Sequence, residues 1–166
     1  MSEPSVTTFA RYNAWANARL YDACAALPEA AYFAQRACAF FTSLHGTLNH
    51  ILVGDRAWMR RLTGEGPAPE RLDQELYADL ASLRVARAAE DARILAFVER
   101  LDDAALARTL IYRTMAGETH ANPVGLLLAH MFNHQTHHRG QAHALLKDAG
   151  AEPPPLDLIY FLRARA

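Results

Sequence analysis

The stretch His134-Gln135-Thr136-His137-His138-Arg139-Gly140-Gln141 decides the fold. It lies within a helix predicted to open at Asn122-Pro123 and to run to Gly150. Asn122 suits an N-cap, Pro123 the first helical position, and Gly150 a C-terminal stop. At about 100° per residue, Leu127, Met131, His134, His138 and Leu145 share one face. Two imidazoles therefore stand in the stripe that should point at the core. Their burial costs free energy unless their nitrogens find partners. Imidazoles at i and i+4 on one face can bind the same divalent cation. Hydrogen-bonded core histidines would give the same pattern. The spacing argues against a zincin protease, whose motif needs a glutamate base where Gln135 stands.

The chain has 166 residues, 51% of them hydrophobic and 21% charged, with a formal net charge of −1. This fits a single domain over residues 1–166, which can bury about 70% of its unfolded surface without staples. There is no basic block, so no broad electrostatic footprint for nucleic acid is expected. Residues 1–5 lack the basic and apolar segments of a signal peptide. The most apolar run, 124–132, is far shorter than the roughly 20 residues of a membrane span. A cytoplasmic protein is expected, with Cys24 and Cys38 as reduced thiols and a disulfide between them left open.

Three further helices follow from three- and four-residue periodicity. The first runs from about Val6 to Ala26 and stops at Pro28; Trp15 on it reads as packing. Glu29 to Phe41 reads as a short helical turn and a loop. The second helix opens at Thr42-Ser43 and ends at Thr63-Gly64, with Leu44, Leu48, Ile51, Trp58 and Leu62 as its stripe. Asp55 lies on that stripe, which calls for an arginine partner at the helix edge or for a role supporting a metal-bound histidine. The third runs from about Asp73 to Leu101; Arg84, Arg87, Glu90, Asp91, Arg93 and Glu99 read as a solvated surface, and the middle, 86–92, as exposed. Thr109–Met115 favours a strand, Ala116-Gly117 a turn, and Glu118–His120 a returning strand, with His120 at the surface. Asp157 is placed to cap a last turn, Leu158 to Arg163, at one end of the bundle.

A third metal ligand has two candidates on helix two, His45 and His50. His50 sits roughly 130° from the middle of the leucine stripe and His45 roughly 90°. The small residues Thr47, Gly54 and Ala57 flank His50, so another helix can approach there. The helical wheel leaves the two histidines level.

With Asn49-His50-Ile51-Leu52, Trp58, His134-x-x-x-His138-Arg139-Gly140-Gln141 and the tail Pro155-Leu156-Asp157-Leu158, the chain resembles the DinB (DinB/YfiT-like) family over nearly its whole length. The resemblance implies an all-α four-helix bundle with a short β-hairpin before the last long helix. It also implies a mononuclear metal held by His50, His134 and His138, with His45, His130 and His137 as supporting or surface residues. Three imidazoles suit Zn²⁺, Ni²⁺, Fe²⁺ or Cu²⁺ rather than oxygen-loving Mg²⁺ or Ca²⁺. Three protein ligands leave a position open, the mark of a catalytic site.

By the same resemblance the expected activity is a metal-dependent thiol transferase, isomerase or hydrolase acting on small electrophilic molecules. A low-molecular-weight thiol is its expected cosubstrate. The alternative is a non-catalytic metal-binding stress-response protein. Arg139 and Gln141 are candidate cofactor-binding residues: Arg139 for a carboxylate, or as a salt bridge to a neighbouring helix, and Gln141 to orient a ligand histidine. Gly140 in mid-helix suggests a close helix crossing or a cofactor near the backbone. A homodimer is expected from the resemblance, with no surface assigned to it; exposed alanine-rich faces on helices one and three are candidates.

Overall fold

The computed structural model describes residues 5–164. Residues 1–4, part of the stretch read for a signal peptide, and residues 165–166 lie outside the described residues. Four long helices build the bundle: α1 (Val6–Ala25), α3 (Leu44–Thr63), α4 (Leu80–Val98) and α6 (Val124–Asp148). Three short helices, α2 (Glu29–Phe33), α5 (Asp103–Ala107) and α7 (Leu158–Arg163), fill connections. Strands β1 (Thr109–Arg113) and β2 (Thr119–Pro123) form an antiparallel hairpin that leads into α6. The all-α bundle with its hairpin is thus the observed fold. Among the described residues no helix is long and apolar enough to cross a membrane.

Helix starts follow their caps. The side-chain oxygens of Ser5, Ser43, Asp79 and Asp102 accept from the amides of Thr8, Gly46, Ser82 and Ala105. Two expected boundaries move. The third long helix starts at Leu80, not near Asp73, because the amides of Leu76 and Tyr77 donate to Asn49 Oδ1 on α3. That holds the segment before Asp79 outside the helix. The second strand runs on to Pro123, and Asn122 caps nothing: it pairs with Leu110 and accepts from the Tyr112 hydroxyl at 3.1 Å. The Val124 amide donates instead to Arg108 O. Asp157 precedes α7 without a side-chain cap, and Phe161 packs on Tyr12 and Trp15 of α1.

Two large apolar clusters form most of the core, beside a smaller third of Tyr12, Ala16 and Phe161. One gathers Leu20, Leu48, Leu52, Leu83 and Leu146; the other gathers Met59, Ile94, Leu128 and Met131. Between them along every long helix lies a buried polar layer: Asn17, Asp55, Arg87, Asp91, Gln135 and Arg139. The middle of α4 is therefore not the solvated surface expected. Arg87, Glu90 and Asp91 are buried, because Arg87 bridges Asp55 at 2.5 Å and Asp91 at 3.0 Å. Burial works against the Arg87 charge, but Asp91 and Asp55 more than offset it and keep the guanidinium protonated. The arginine partner expected for Asp55 is Arg87, in the core rather than at a helix edge. Both cysteines are free, and burial pushes the Cys24 thiol up to about 12, which disqualifies it as a nucleophile at neutral pH.

Candidate metal centre

His50 projects from the middle of α3, and His134 and His138 from successive turns of α6. The two helices run antiparallel, so that His138 meets His50, His134 meets Gly54, and His130 meets Trp58. A β-carbon added to Gly54 would stand 2.7 Å from His134 Cε1. Glycine at this place is what lets the imidazole in. The small flank noted beside His50 is therefore a real point of close approach.

The Nε2 atoms converge. That of His50 lies 3.2 Å from His134 Nε2 and 3.1 Å from His138 Nε2. The candidate ligand atoms of all three residues lie within 4.8 Å of one another. Nitrogens bound at 2.0–2.1 Å around a tetrahedral zinc-like ion stand about 3.3–3.4 Å apart. The observed spacing is close to that, and this three-histidine group can hold a metal ion.

Hydrogen bonds fix the tautomers of two rings. His50 Nδ1–H donates to Leu72 O at 2.8 Å, and His138 Nδ1–H donates to Gln141 Oε1 at 2.8 Å. Each ring therefore presents an Nε2 lone pair, and the two lone pairs face each other at 3.1 Å. Such a contact is repulsive unless a cation or a shared proton lies between them. Among the described residues, His134 Nδ1 is buried without a hydrogen-bond partner.

Burial pushes the His50 imidazolium down to about 4, with the Leu72 bond opposing and His138 assisting. His134 is pushed down to about 3 by burial first, then by the neighbouring histidines. Burial lowers His138 too, against its bond to Gln141. All three rings are thus neutral at pH 7, the state in which imidazole binds a metal.

The histidine that the wheel could not separate from His50 has a different environment. His45 is buried, with Nδ1 3.0 Å from the Tyr32 hydroxyl and Nε2 accepting from Asn49 Nδ2 at 3.2 Å. Both its nitrogens are engaged, so it is a core histidine rather than a supporting or surface one. His137 and His130 are exposed. Gln141 bridges two rings, accepting from His138 and donating to His137 Nε2 at 3.2 Å.

Arg139 turns away from the histidines. Its guanidinium is buried against α1, donating to Asn17 Oδ1, Gln135 Oε1 and Thr136 Oγ1 and lying over the Tyr12 ring. No carboxylate lies within salt-bridge distance of it among the described residues, so the expected salt bridge to a neighbouring helix is absent. Gly140 marks no close crossing, since among the described residues nothing lies within 4 Å of an added β-carbon. Gly140→Ala is therefore expected to stabilise the protein by about 1 kcal/mol through helix propensity alone. A urea midpoint that falls instead would show an unrecognised contact.

Phe41 was not picked out from the sequence as part of the site. Its ring stacks on His50 with centroids 3.7 Å apart and lies 5.6 Å from His138. The turn that carries it needs Gly46, where a β-carbon would fall 2.0 Å from Phe41 O. The readable signal was the Phe40-Phe41 pair just ahead of the Ser43 cap.

Gly54→Ala separates the centre from the fold. The added methyl must displace His134, yet alanine favours the helix. Zinc affinity is expected to fall about tenfold or more, while the metal-free protein melts no lower than the parent. Chelator competition beside a thermal melt without metal checks both halves.

The cavity of about 530 Å³ between α1, α6 and α7 is lined by Val6, Phe9, Phe132 and Asp157 among others and includes none of His50, His134 and His138. The three-histidine group sits in the α3–α6 seam instead.

The DinB family model matches residues 1–165. Protein DinB of Bacillus subtilis (strain 168) is 26% identical over 157 residues, spanning 91% of this chain and 90% of that protein. The crystal structure of a DinB-like protein from Bacillus cereus ATCC 10987 aligns with a TM-score of 0.63 at 19% identity. That alignment covers 89% of this chain and 94% of the other. At that identity the structural likeness speaks to the fold.

Proposed function

We infer that this chain, which belongs to the DinB family, holds a single divalent transition metal on His50, His134 and His138. We take zinc, nickel or iron as the ion and thiol transfer to a small electrophile as the activity. The observation that carries this is the pair of Nε2 lone pairs meeting at 3.1 Å, each fixed by a hydrogen bond on the opposite ring nitrogen. A metal bound there would lower the pKa of a water or thiol and so supply a nucleophile near neutral pH.

The chain's own residues do the rest. Leu72 O and Gln141 Oε1 hold His50 and His138 in the ligand tautomer. Phe41 covers one side of His50 and keeps water from it. In the proposed transfer, the sulfur of a low-molecular-weight thiol forms a bond to the electrophilic carbon. The leaving group departs with its electron pair, and the thiol proton passes to solvent. Turnover of a thiol with a panel of small electrophiles should be lost in His138→Ala; equal rates in the two proteins would refute the transferase.

A second reading, a metal-holding stress-response protein without turnover, is favoured by the position of Asp55. The carboxylate nearest to hand in the sequence is committed to Arg87 and not to the centre. Metal binding without turnover across the panel would decide for it. We take the working form to be a homodimer, which light scattering returning a monomer mass would exclude.

A further inference from the structure

We propose that the cleft beside the metal centre, at the Trp58 end of the α3–α6 seam, binds a small carboxylate with an aromatic or apolar body, and that Arg61 pairs with its carboxylate. The proposal rests on the metal-centre reading only for what such a molecule would do there, not for whether it binds.

The seam runs on from the histidines. One turn from His134 stands His130, whose ring is 6.1 Å from that of His134 and 5.0 Å from that of Trp58. There a cavity of about 250 Å³ opens, lined by Trp58, Tyr112, Asn122, Leu126, Leu127 and His130. Trp58 and Tyr112 meet edge to face at 5.3 Å and form its aromatic wall. Leu126 is 64% exposed at its rim, a large apolar side chain left facing solvent beside a cavity.

Arg61 stands over both rings, its guanidinium carbon 4.6 Å from the Trp58 centroid and 5.8 Å from that of Tyr112. Its Nε–H donates to Arg113 O at 3.3 Å. Among the described residues, neither of its terminal nitrogens has a hydrogen-bond partner and no carboxylate lies within 4.0 Å of it. Arg87, by contrast, has two such carboxylates. Arg139, the other arginine that the sequence brought forward, is already met by three oxygen acceptors. Burial works against the Arg61 charge, and Tyr112 only partly offsets it.

A half-buried planar cation with both terminal amino groups open matches the two oxygens of a carboxylate. The two rings beneath it hold that fork in place and offer an apolar aromatic wall for the rest of the ligand. From Gly54, opposite His134, to Arg61 is about 10 Å along the helix. A ligand anchored by its carboxylate at Arg61 could therefore extend its other end along the seam toward the histidines.

The test uses metal-free protein. Trp15→Phe leaves Trp58 as the sole indole of the chain, since the sequence has two tryptophans. 4-Phenylbutanoate is titrated against Trp58 emission and by calorimetry, beside its uncharged isostere 4-phenylbutanamide. The carboxylate is expected to bind and to shift Trp58 emission, with the amide about tenfold weaker or more. Arg61→Met is expected to remove that preference, lowering carboxylate affinity about tenfold or more and leaving the amide unchanged; Arg61→Lys restores part of it. A melt of each variant checks folding.

Equal binding of acid and amide, no carboxylate binding at millimolar concentration, or an Arg61→Met variant that keeps the preference would overturn the proposal. Because no metal is present, failure of the metal centre leaves this result standing, and failure here leaves metal content untouched.

Discussion

Asp55→Ala is expected to lower the unfolding free energy by about 3–5 kcal/mol, the cost of stranding a buried charge. Asp55 is fully buried, and its Oδ2 lies 2.5 Å from Arg87 Nη1. Burial pushes its carboxyl up to about 7, with Arg87 pulling the other way. Without Asp55 the guanidinium keeps only Asp91, inside the core. Asp22→Ala removes the partner of Arg84, but both of those side chains are exposed, so less than about 1 kcal/mol is expected. Urea unfolding with unchanged m-values compares the two directly. Asp55→Leu combined with Arg87→Met and Asp91→Asn should recover most of the loss, since no member of the buried triad is then left as an unpaired charge. Equal shifts for Asp55→Ala and Asp22→Ala would mean that the polar layer is solvated rather than buried.

Removal of a ligand histidine is expected to have the largest effect on metal binding. A ligand present at 100 to 1,000 times its Kd stabilises the folded state by about 2.7–4.1 kcal/mol. Wild-type protein should melt correspondingly higher with excess Zn²⁺, whereas His50→Ala and His138→Ala should show no zinc-dependent shift. Gln141→Ala should lie between them. It keeps all three imidazoles but frees His138 to rotate and change tautomer, which is expected to weaken zinc about 10- to 100-fold. A Gln141→Ala variant with parental affinity would mean that the hydrogen bond at His138 Nδ1 does not orient the ring. His45→Ala is the control. Both nitrogens of His45 are engaged by Tyr32 and Asn49, so this variant should lose stability and keep its zinc-dependent shift.

The long helices and the hairpin were legible because each carries an unbroken period or a turn signal. The two misplaced boundaries share a cause: side chains that look like local signals act at long range. Leu76 fits the period of Leu80 and Leu83, but its amide bonds to Asn49, 27 residues away in sequence. Asn122 looks like a cap, yet it accepts from Tyr112 across the hairpin.

The charges of α4 misled for a related reason. Arg87 and Asp91 are spaced like a surface ion pair, and only the third partner, Asp55 on α3, brings them inside. At the centre, His134 and His138 stood out by their place on the apolar stripe. His50 and His45 could not be separated by angle because both are buried. What separates them is which nitrogens are already engaged. That depends on Leu72 O and on Tyr32, both in stretches between the long helices where periodicity is silent.

The most direct test of the central claim is the metal content of untagged protein purified without chelator, measured beside His50→Ala and His138→Ala. About one equivalent of a transition metal per chain is expected in the parent and none in either variant, as three converging imidazoles require. A parent protein that takes up no metal even when Zn²⁺ or Ni²⁺ is supplied would contradict it and make the three residues core histidines.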